Sequence, residues 1–358
     1  MKGKKRGIFT KKAIVALLLT VLAVYVIIIC VNARSGSLFL SSSKSGDESK
    51  KEEIIQLSGE KEIESGENIS SGDLNLENGN NIEEIENMTF NESGRIIIAM
   101  YHKFAKEEGS DEWCRSFENF YGDLKYLYEH GYRSVSLNDY LNNTMRVPVG
   151  CTPIIFTFDD GWSGQFNLIK DENGKLIANP DSAVGVMEKF YAEYPEFGLN
   201  GTFFINSTGF FGSTGTNSEK LKYLINKGFE IGNHTSTHVN FSNASVETIQ
   251  KEVGTVANLV REVADGYEIT SLALPYGISS KENKAYIAEG EYEGQKYQNQ
   301  ILLLVGAEPT YASNHEKVNL LSLPRVRARG GNKEVTYDLY YWLEMMERNP
   351  NMKYERIS

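Results

Sequence analysis

Asp159 and Asp160 stand side by side in Thr157-Phe158-Asp159-Asp160-Gly161, directly after the apolar run Pro153–Phe156. Two adjacent carboxylates repel each other unless a cation or a shared proton lies between them. A second cluster follows at His234-Thr235-Ser236-Thr237-His238. Imidazoles four residues apart can fall on one face of a helical turn and grip one ion. A carboxylate with two imidazoles leaves an ion with open positions, which suits catalysis better than a closed structural site. Each feature alone has an ordinary explanation: Asp-Asp-Gly is a common turn, and His-x-x-x-His a common surface coincidence. The chain holds only five histidines, however. A pair at that spacing behind one strand, with an acidic pair behind another, points to metal binding.

The elements that must position these groups read as an alternation. Apolar runs predict strands at Arg95–His102, Pro153–Phe156, Gly201–Asn206, Phe229–Gly232, Ser271–Leu274, Ile301–Val305 and Leu321–Val326, with a short one at Arg133–Leu137. Helical spacing predicts helices at Ser116–His130, Asp181–Tyr194, Ser218–Lys227, Ser245–Ala264 and Val335–Arg348. Asn173-Gly174 between two short runs predicts a hairpin. Strands alternating with helices predict a mainly parallel α/β sheet, either a complete or incomplete (β/α) barrel or, second, an open doubly wound sheet. Asp159, Asp160 and His102 then sit just past strand ends, where barrels place their chemistry.

The chain has 358 residues, 41% of them hydrophobic, and a formal net charge of -11. That balance argues against a nucleic-acid partner. The basic residues Lys2, Lys4, Lys5, Arg6, Lys11 and Lys12 precede an almost unbroken apolar run, Ala13–Val31. The run is long enough to span a bilayer, with the basic tail (1–12) cytoplasmic and the remainder exported. A long cleaved signal peptide is the alternative, and the protein would then be secreted. Residues 32–93 are acidic and poor in aromatics, a disordered linker by composition. The folded domain is expected over 94–358. Of three cysteines only Cys114 and Cys151 lie in it, and their spacing leaves open whether they pair.

With these motifs in hand, the chain resembles the polysaccharide deacetylases, the NodB-homology or carbohydrate esterase family 4 group. Thr157–Gly161 resembles their first motif, His234–His238 the second, and Leu274-Pro275-Tyr276-Gly277 the core of the third. Gly201–Asn206 is similar to the strand between the first two. The resemblance implies a distorted or incomplete (β/α) barrel, Asp159 as general base, and Asp160, His234 and His238 as ligands of one divalent ion. Zn2+ suits that donor set best, with Co2+, Ni2+ and Mn2+ open. It also implies that the Tyr276 backbone N–H, after Pro275, stabilises the oxyanion.

Many family members protonate the leaving group with a histidine near the C-terminus. The matching region here is Leu323-Pro324-Arg325-Val326-Arg327 and has none. Of His102, His130 and His315, His102 is the expected acid. Met100-Tyr101-His102 resembles the permuted arrangement of poly-N-acetylglucosamine deacetylases, whose acid strand comes first. His130 at a helix end and His315 in a polar loop have simpler readings, as a dipole partner and a solvated side chain. The family also places an arginine two residues before the third-motif proline to orient the base. Ala273 stands there, and Arg325, Arg327 or Arg329 must substitute if the base is to be held. Trp162, Phe210, Phe211 and Tyr276 are candidates for stacking on sugar rings, and the insertion 165–197 for walling the groove.

The expected protein is a membrane-tethered, metal-dependent hydrolase that removes N-acetyl groups from a cell-surface or cell-wall polysaccharide, releasing acetate. A polysaccharide O-deacetylase, or a non-catalytic glycan-binding protein that keeps the fold, are the alternatives.

Overall fold

The computed structural model describes residues 88–208, 210–329 and 335–358. The expected tail, the apolar run 13–31 and the linker as far as residue 87 lie outside the described residues. Among the described residues, no helix is long and apolar enough to cross a membrane.

The strands are β1 (Ile97–Tyr101), β2 (Lys103–Ala105), β3 (Cys114–Ser116), β4 (Tyr132–Ser134), β5 (Thr152–Asp159), β6 (Leu168–Lys170), β7 (Leu176–Ala178), β8 (Thr202–Ile205), β9 (Glu230–Asn233), β10 (Ser271–Ala273), β11 (Glu289–Tyr292), β12 (Gln295–Gln298), β13 (Ile301–Leu303) and β14 (Val326–Arg327). The α-helices are α1 (Phe117–Glu129), α2 (Leu137–Leu141), α3 (Ala183–Glu193), α4 (Asn217–Asn226), α5 (Val246–Val263), α6 (Asn283–Ala288) and α7 (Leu339–Arg348). Ser116, Ser136, Ser182, Thr216, Ser245 and Asp338 cap six of them by accepting a backbone N–H of the first turn. Each such cap contributes on the order of 1 kcal/mol.

The main sheet runs β13-β10-β9-β8-β5-β1-β14, with β4 beside the start of β5, and its pairings are parallel. It curls into an incomplete barrel. One segment bridges the open side: Leu323 N–H bonds Leu302 O and Leu304 N–H bonds Leu323 O, each at 2.9 Å, and Ala328 N–H bonds Met100 O at 3.0 Å. The same stretch therefore touches both β13 and β1, with Arg325 between the two contacts.

Strand parity sorts the core. Ile97, Ala99, Tyr101, Ile154, Phe156, Phe158 and Phe203 belong to the cluster shared with α1 and α3, whereas Ile96, Ile98, Ile155, Phe204, Leu303 and Leu323 form the opposite one. Side chains alternate along a strand, so Thr157 and Asp159 continue the Ile155 face, and His102 continues the face of Ile96 and Ile98. The β1–β5 register pairs Tyr101 with Phe158. The next rung brings His102 level with Asp159.

Several expectations need correction. Leu321–Val326 is not a strand: a 3-10 turn, Leu320–Ser322, precedes the two-residue β14. The last helix begins at Leu339, not Val335. The Asn173-Gly174 hairpin forms as β6–β7. A second hairpin, β11–β12, escapes the sequence pattern because Glu289–Gln298 is nearly all polar, and its turn residues Glu293 and Gly294 both have positive φ. Part of the expected linker is instead packed: Thr89 N–H bonds Ser358 O at 2.8 Å, and the Phe90 and Tyr354 rings stack at 4.7 Å. Cys114 and Cys151 are free thiols, both buried.

Candidate active site

Asp159 ends β5 and is 1% exposed. A carboxylate there needs a counter-charge, and Arg325, fully buried, supplies it. Arg325 Nη1 donates to Asp159 Oδ1 and Nη2 to Oδ2, both at 2.7 Å. Nη1 also reaches Thr157 Oγ1 at 3.2 Å, and Nε donates to Leu304 O at 2.9 Å. The arginine is thus braced from β5 and from the chain after β13. Gly306 makes the approach possible, since a Cβ there would lie 1.1 Å from Arg325 O. Burial alone would push the Asp159 carboxyl up; Arg325 above all, then His234 and His102, pull it below the usual range.

Asp160 turns away from Asp159 with φ 80°. Its Oδ1 lies 3.3 Å from His234 Nε2 and 3.6 Å from His238 Nε2. One donor atom from each residue lies within 4.8 Å of the others. Trp162 Nε1–H donates to the second oxygen, Oδ2, at 3.0 Å. Against the cost of burial, His234 and Trp162 lower the Asp160 pKa.

His234, at the end of β9, is buried, and its Nδ1 lies 2.8 Å from Ala273 O. A carbonyl only accepts, so Nδ1 carries the proton and Nε2 is left free toward Asp160. Despite burial, Asp159 and Asp160 raise its pKa. His238 is more open; burial first, then His234, lowers its pKa. The turn between them is not helical as the spacing suggests: Thr235 and His238 have φ of 62° and 57°. It is held from α5, where Glu252 accepts Thr237 N–H at 2.7 Å and Thr237 Oγ1–H at 2.8 Å. Asn206 Nδ2 binds the carbonyls of His234 and Thr235. Positive φ at Asp160, Thr235, His238 and Tyr276 concentrates backbone strain around one point.

His102 Nε2 lies 3.9 Å from Asp159 Oδ2, and its ring packs against Trp113 at 4.7 Å. Burial lowers its pKa and outweighs the pull of Asp159 and Asp160. Gln165 Nε2 donates to both His102 O and Asp159 O, tying the two strand ends together. Asp159, Asp160, His102, His234 and His238 line one cavity of about 500 Å³, whose walls include Trp113, Trp162, Tyr276 and Arg327.

The structure therefore gathers Asp159, Asp160, His102, His234, His238, Trp162 and Tyr276 at one mouth. Pro275 is buried beneath it, and Tyr276, 57% exposed, packs its ring on His238 at 4.8 Å. Phe210 and Phe211 are core residues, fully covered, so neither can stack on a sugar. The β6–β7 insertion lines a different surface groove and does not wall this one. His130 pairs with Tyr126 O and Glu347, and His315 stacks on Tyr311; neither lines the cavity. The sequence reading had no signal for Trp113, Gln165 or Glu252, because their roles come from contacts between elements. Arg325 was one of three equivalent arginines until the fold separated them.

A family profile described as "Polysaccharide deacetylase" matches residues 146–294. His102 and Arg325 lie outside that match. No curated protein matches the chain. Among solved structures, the Bacillus cereus polysaccharide deacetylase BC0361 is 16% identical with TM-score 0.52, over 70% of this chain and 68% of that one. The Streptococcus pyogenes deacetylase PplD, in complex with acetate, is 18% identical with TM-score 0.51, over 70% and 98%. The Bacillus anthracis protein BA0330 is 18% identical with TM-score 0.49, and the likeness covers 66% of this chain and 65% of that one, just under two thirds of its length. At these identities BC0361 and PplD show a shared fold and nothing finer. The motif-bearing segment 146–294 is thus similar to the polysaccharide deacetylases, on the match of that segment to their profile.

Proposed function

We propose that the protein is a metal-dependent deacetylase that cleaves N-acetyl groups from sugars of a cell-surface or cell-wall polysaccharide. The observation that carries this reading is the pairing of two differently treated neighbours. Asp159 is locked to Arg325, while Asp160 shares a cluster of donor atoms with His234 and His238.

The donor set fits a divalent ion. It has one carboxylate and two imidazoles, with His234 Nε2 freed by the Ala273 contact. An ion held there would supply Lewis acidity, polarising a carbonyl and acidifying water. Asp159, ionised by Arg325, accepts the proton of the attacking water. The Tyr276 N–H, presented by the turn after Pro275, donates to the acetyl oxygen as charge builds on it. His102, on the other side of Asp159, gives a proton to the departing nitrogen. The water oxygen becomes bonded to the acetyl carbon, the C–N bond breaks, and acetate and an amine leave. Trp162 and Tyr276, exposed at the mouth, offer faces on which a sugar ring can stack.

Ala273 in place of the family arginine is the one feature that would favour a non-catalytic glycan binder. The Arg325 pair with Asp159 supports the catalytic reading over that one. The basic tail and the run 13–31 support a protein anchored in the cell membrane with its catalytic domain outside, which protease accessibility on intact cells would test.

The test of function is acetate release from peptidoglycan, chitooligosaccharides, poly-N-acetylglucosamine and acetylxylan, with and without chelator. Acetate together with new amine supports N-deacetylation; acetate from acetylxylan alone assigns O-deacetylation. No release from any glycan by the metal-loaded wild type would overturn the hydrolytic reading.

A further inference from the structure

Arg327 is a cation of the cavity that the hydrolytic reading leaves without a task. The β1–β14 register sets it beside Met100, and it lines the same cavity as Asp159 and Asp160. Its guanidinium carbon lies 5.9 Å from the centre of the Trp113 ring, which also packs against the His102 ring. Arg327, Trp113 and His102 thus form one wall.

Among the described residues, Arg327 Nε is buried and has no hydrogen-bond partner. The carboxylates near it are committed elsewhere. Glu112 takes Arg329 at 2.9 Å, and Asp338 caps α7 by accepting Tyr341 N–H at 3.2 Å. Burial and the neighbouring Arg329 disfavour its charge and outweigh the pull of Glu112 and Asp338. Lys103, the ammonium on the same cavity, is different: Asp111 holds it at 2.9 Å, and it lies over the Trp162 ring.

Among the described residues, a half-buried guanidinium stacked on an indole, near two carboxylates but hydrogen-bonded to neither through Nε, is a costly arrangement. It becomes favourable when a ligand brings the anion. The planar fork of arginine matches carboxylate and phosphate oxygens two at a time, which neutral hydroxyls do not require.

We propose that Arg327, backed by Trp113, binds a carboxylate or phosphate carried on the glycan beside the sugar being deacetylated, so that the substrate is an acidic polysaccharide. This rests on the deacetylase reading for the position of the acetyl group, but anion recognition can be measured without turnover.

The test uses acetylated oligosaccharides of matched length that are neutral, carboxylate-bearing or phosphate-bearing. Wild type, Arg327→Gln and Arg327→Lys are compared by calorimetric Kd and by kcat/KM. The wild type is expected to prefer one acidic series by about tenfold, the scale of one hydrogen bond to a charged group. That preference collapses in Arg327→Gln, mainly through KM, and survives in part in Arg327→Lys. Which acidic series is preferred tells carboxylate from phosphate. Salt should weaken wild-type binding of the acidic series and spare the neutral one; salt-insensitive binding of the acidic series overturns the proposal even if Arg327→Gln does not fold.

Equal affinity for all three series, or an unchanged preference in Arg327→Gln, overturns the proposal. Preferential binding of the acidic series without acetate release would leave the anion site standing and remove the hydrolytic reading. Acetate release with no such preference would do the opposite.

Discussion

Both ends of the Arg325 fork are filled by Asp159: Nη1 sits 2.7 Å from Oδ1 and Nη2 2.7 Å from Oδ2, with neither side chain reached by solvent. Charge neutrality, fixed orientation and ionisation of the Asp159 carboxyl all follow from this one pair.

Breaking it from either side strands a buried charge. Arg325→Met should cost about 3–5 kcal/mol of stability, and so should Asp159→Asn. The double variant should recover much of the loss, because no charge is left unpaired. Denaturant melts of the four proteins form the cycle. Additive losses would mean that the pair is not a unit. The pH signature follows from the sign of the shift. Asp159 has a lowered folded pKa, so its contribution is present above the unfolded carboxylate value of roughly 3.9. It is lost as pH falls through the lower folded value. Asp159→Asn should therefore flatten stability against pH below roughly 4.

Metal removal separates the two histidines. His234 is buried with its Nδ1 committed, whereas His238 is partly open. Chelator should abolish acetate release, and added Zn2+ or Co2+ should restore it. His234→Ala should lose more metal affinity than His238→Ala in a direct titration. Full affinity in both would discard the three-ligand cluster.

Glu252 acts through the ligand turn. Its carboxylate takes two hydrogen bonds from Thr237. Glu252→Ala should weaken metal binding about tenfold, as loss of an outer support does at other metal sites. Thr237→Val, which removes one of those bonds, should weaken it less. Unaltered metal affinity in both variants would make the contact merely structural.

In the proposed reaction His102, as the acid, sets the alkaline side of the rate profile. Burial holds its pKa below the ordinary 6.5, so the protonated acid is a minority form at neutral pH. kcat/KM should fall as pH rises through that lowered value, while Asp159 stays ionised throughout. His102→Gln should lower the rate and erase this limb. A limb at the same pH in the variant would assign it to another group.

What could be read without coordinates was local. Asp159-Asp160 and His234-x-x-x-His238 announce themselves because ligand chemistry demands particular side chains at short spacing. The alternation of strands and helices was equally plain, because burial on two faces forces apolar runs. The expected helical turn between the histidines failed, since the spacing is compatible with the φ-positive turn that Glu252 and Asn206 hold in place. Long-range relationships were decided only by the folded chain. His102 meets Asp159 through the β1–β5 register. Arg325, 166 residues from its partner, was indistinguishable in sequence from Arg327 and Arg329. The segment bridging the barrel's open side sends the first of them down to the base, leaves the second on the Trp113 ring, and ties the third to Glu112. Residue type and spacing specify which groups can do chemistry. Depth within the barrel, which depends on where distant strands pair, specifies which of them act together.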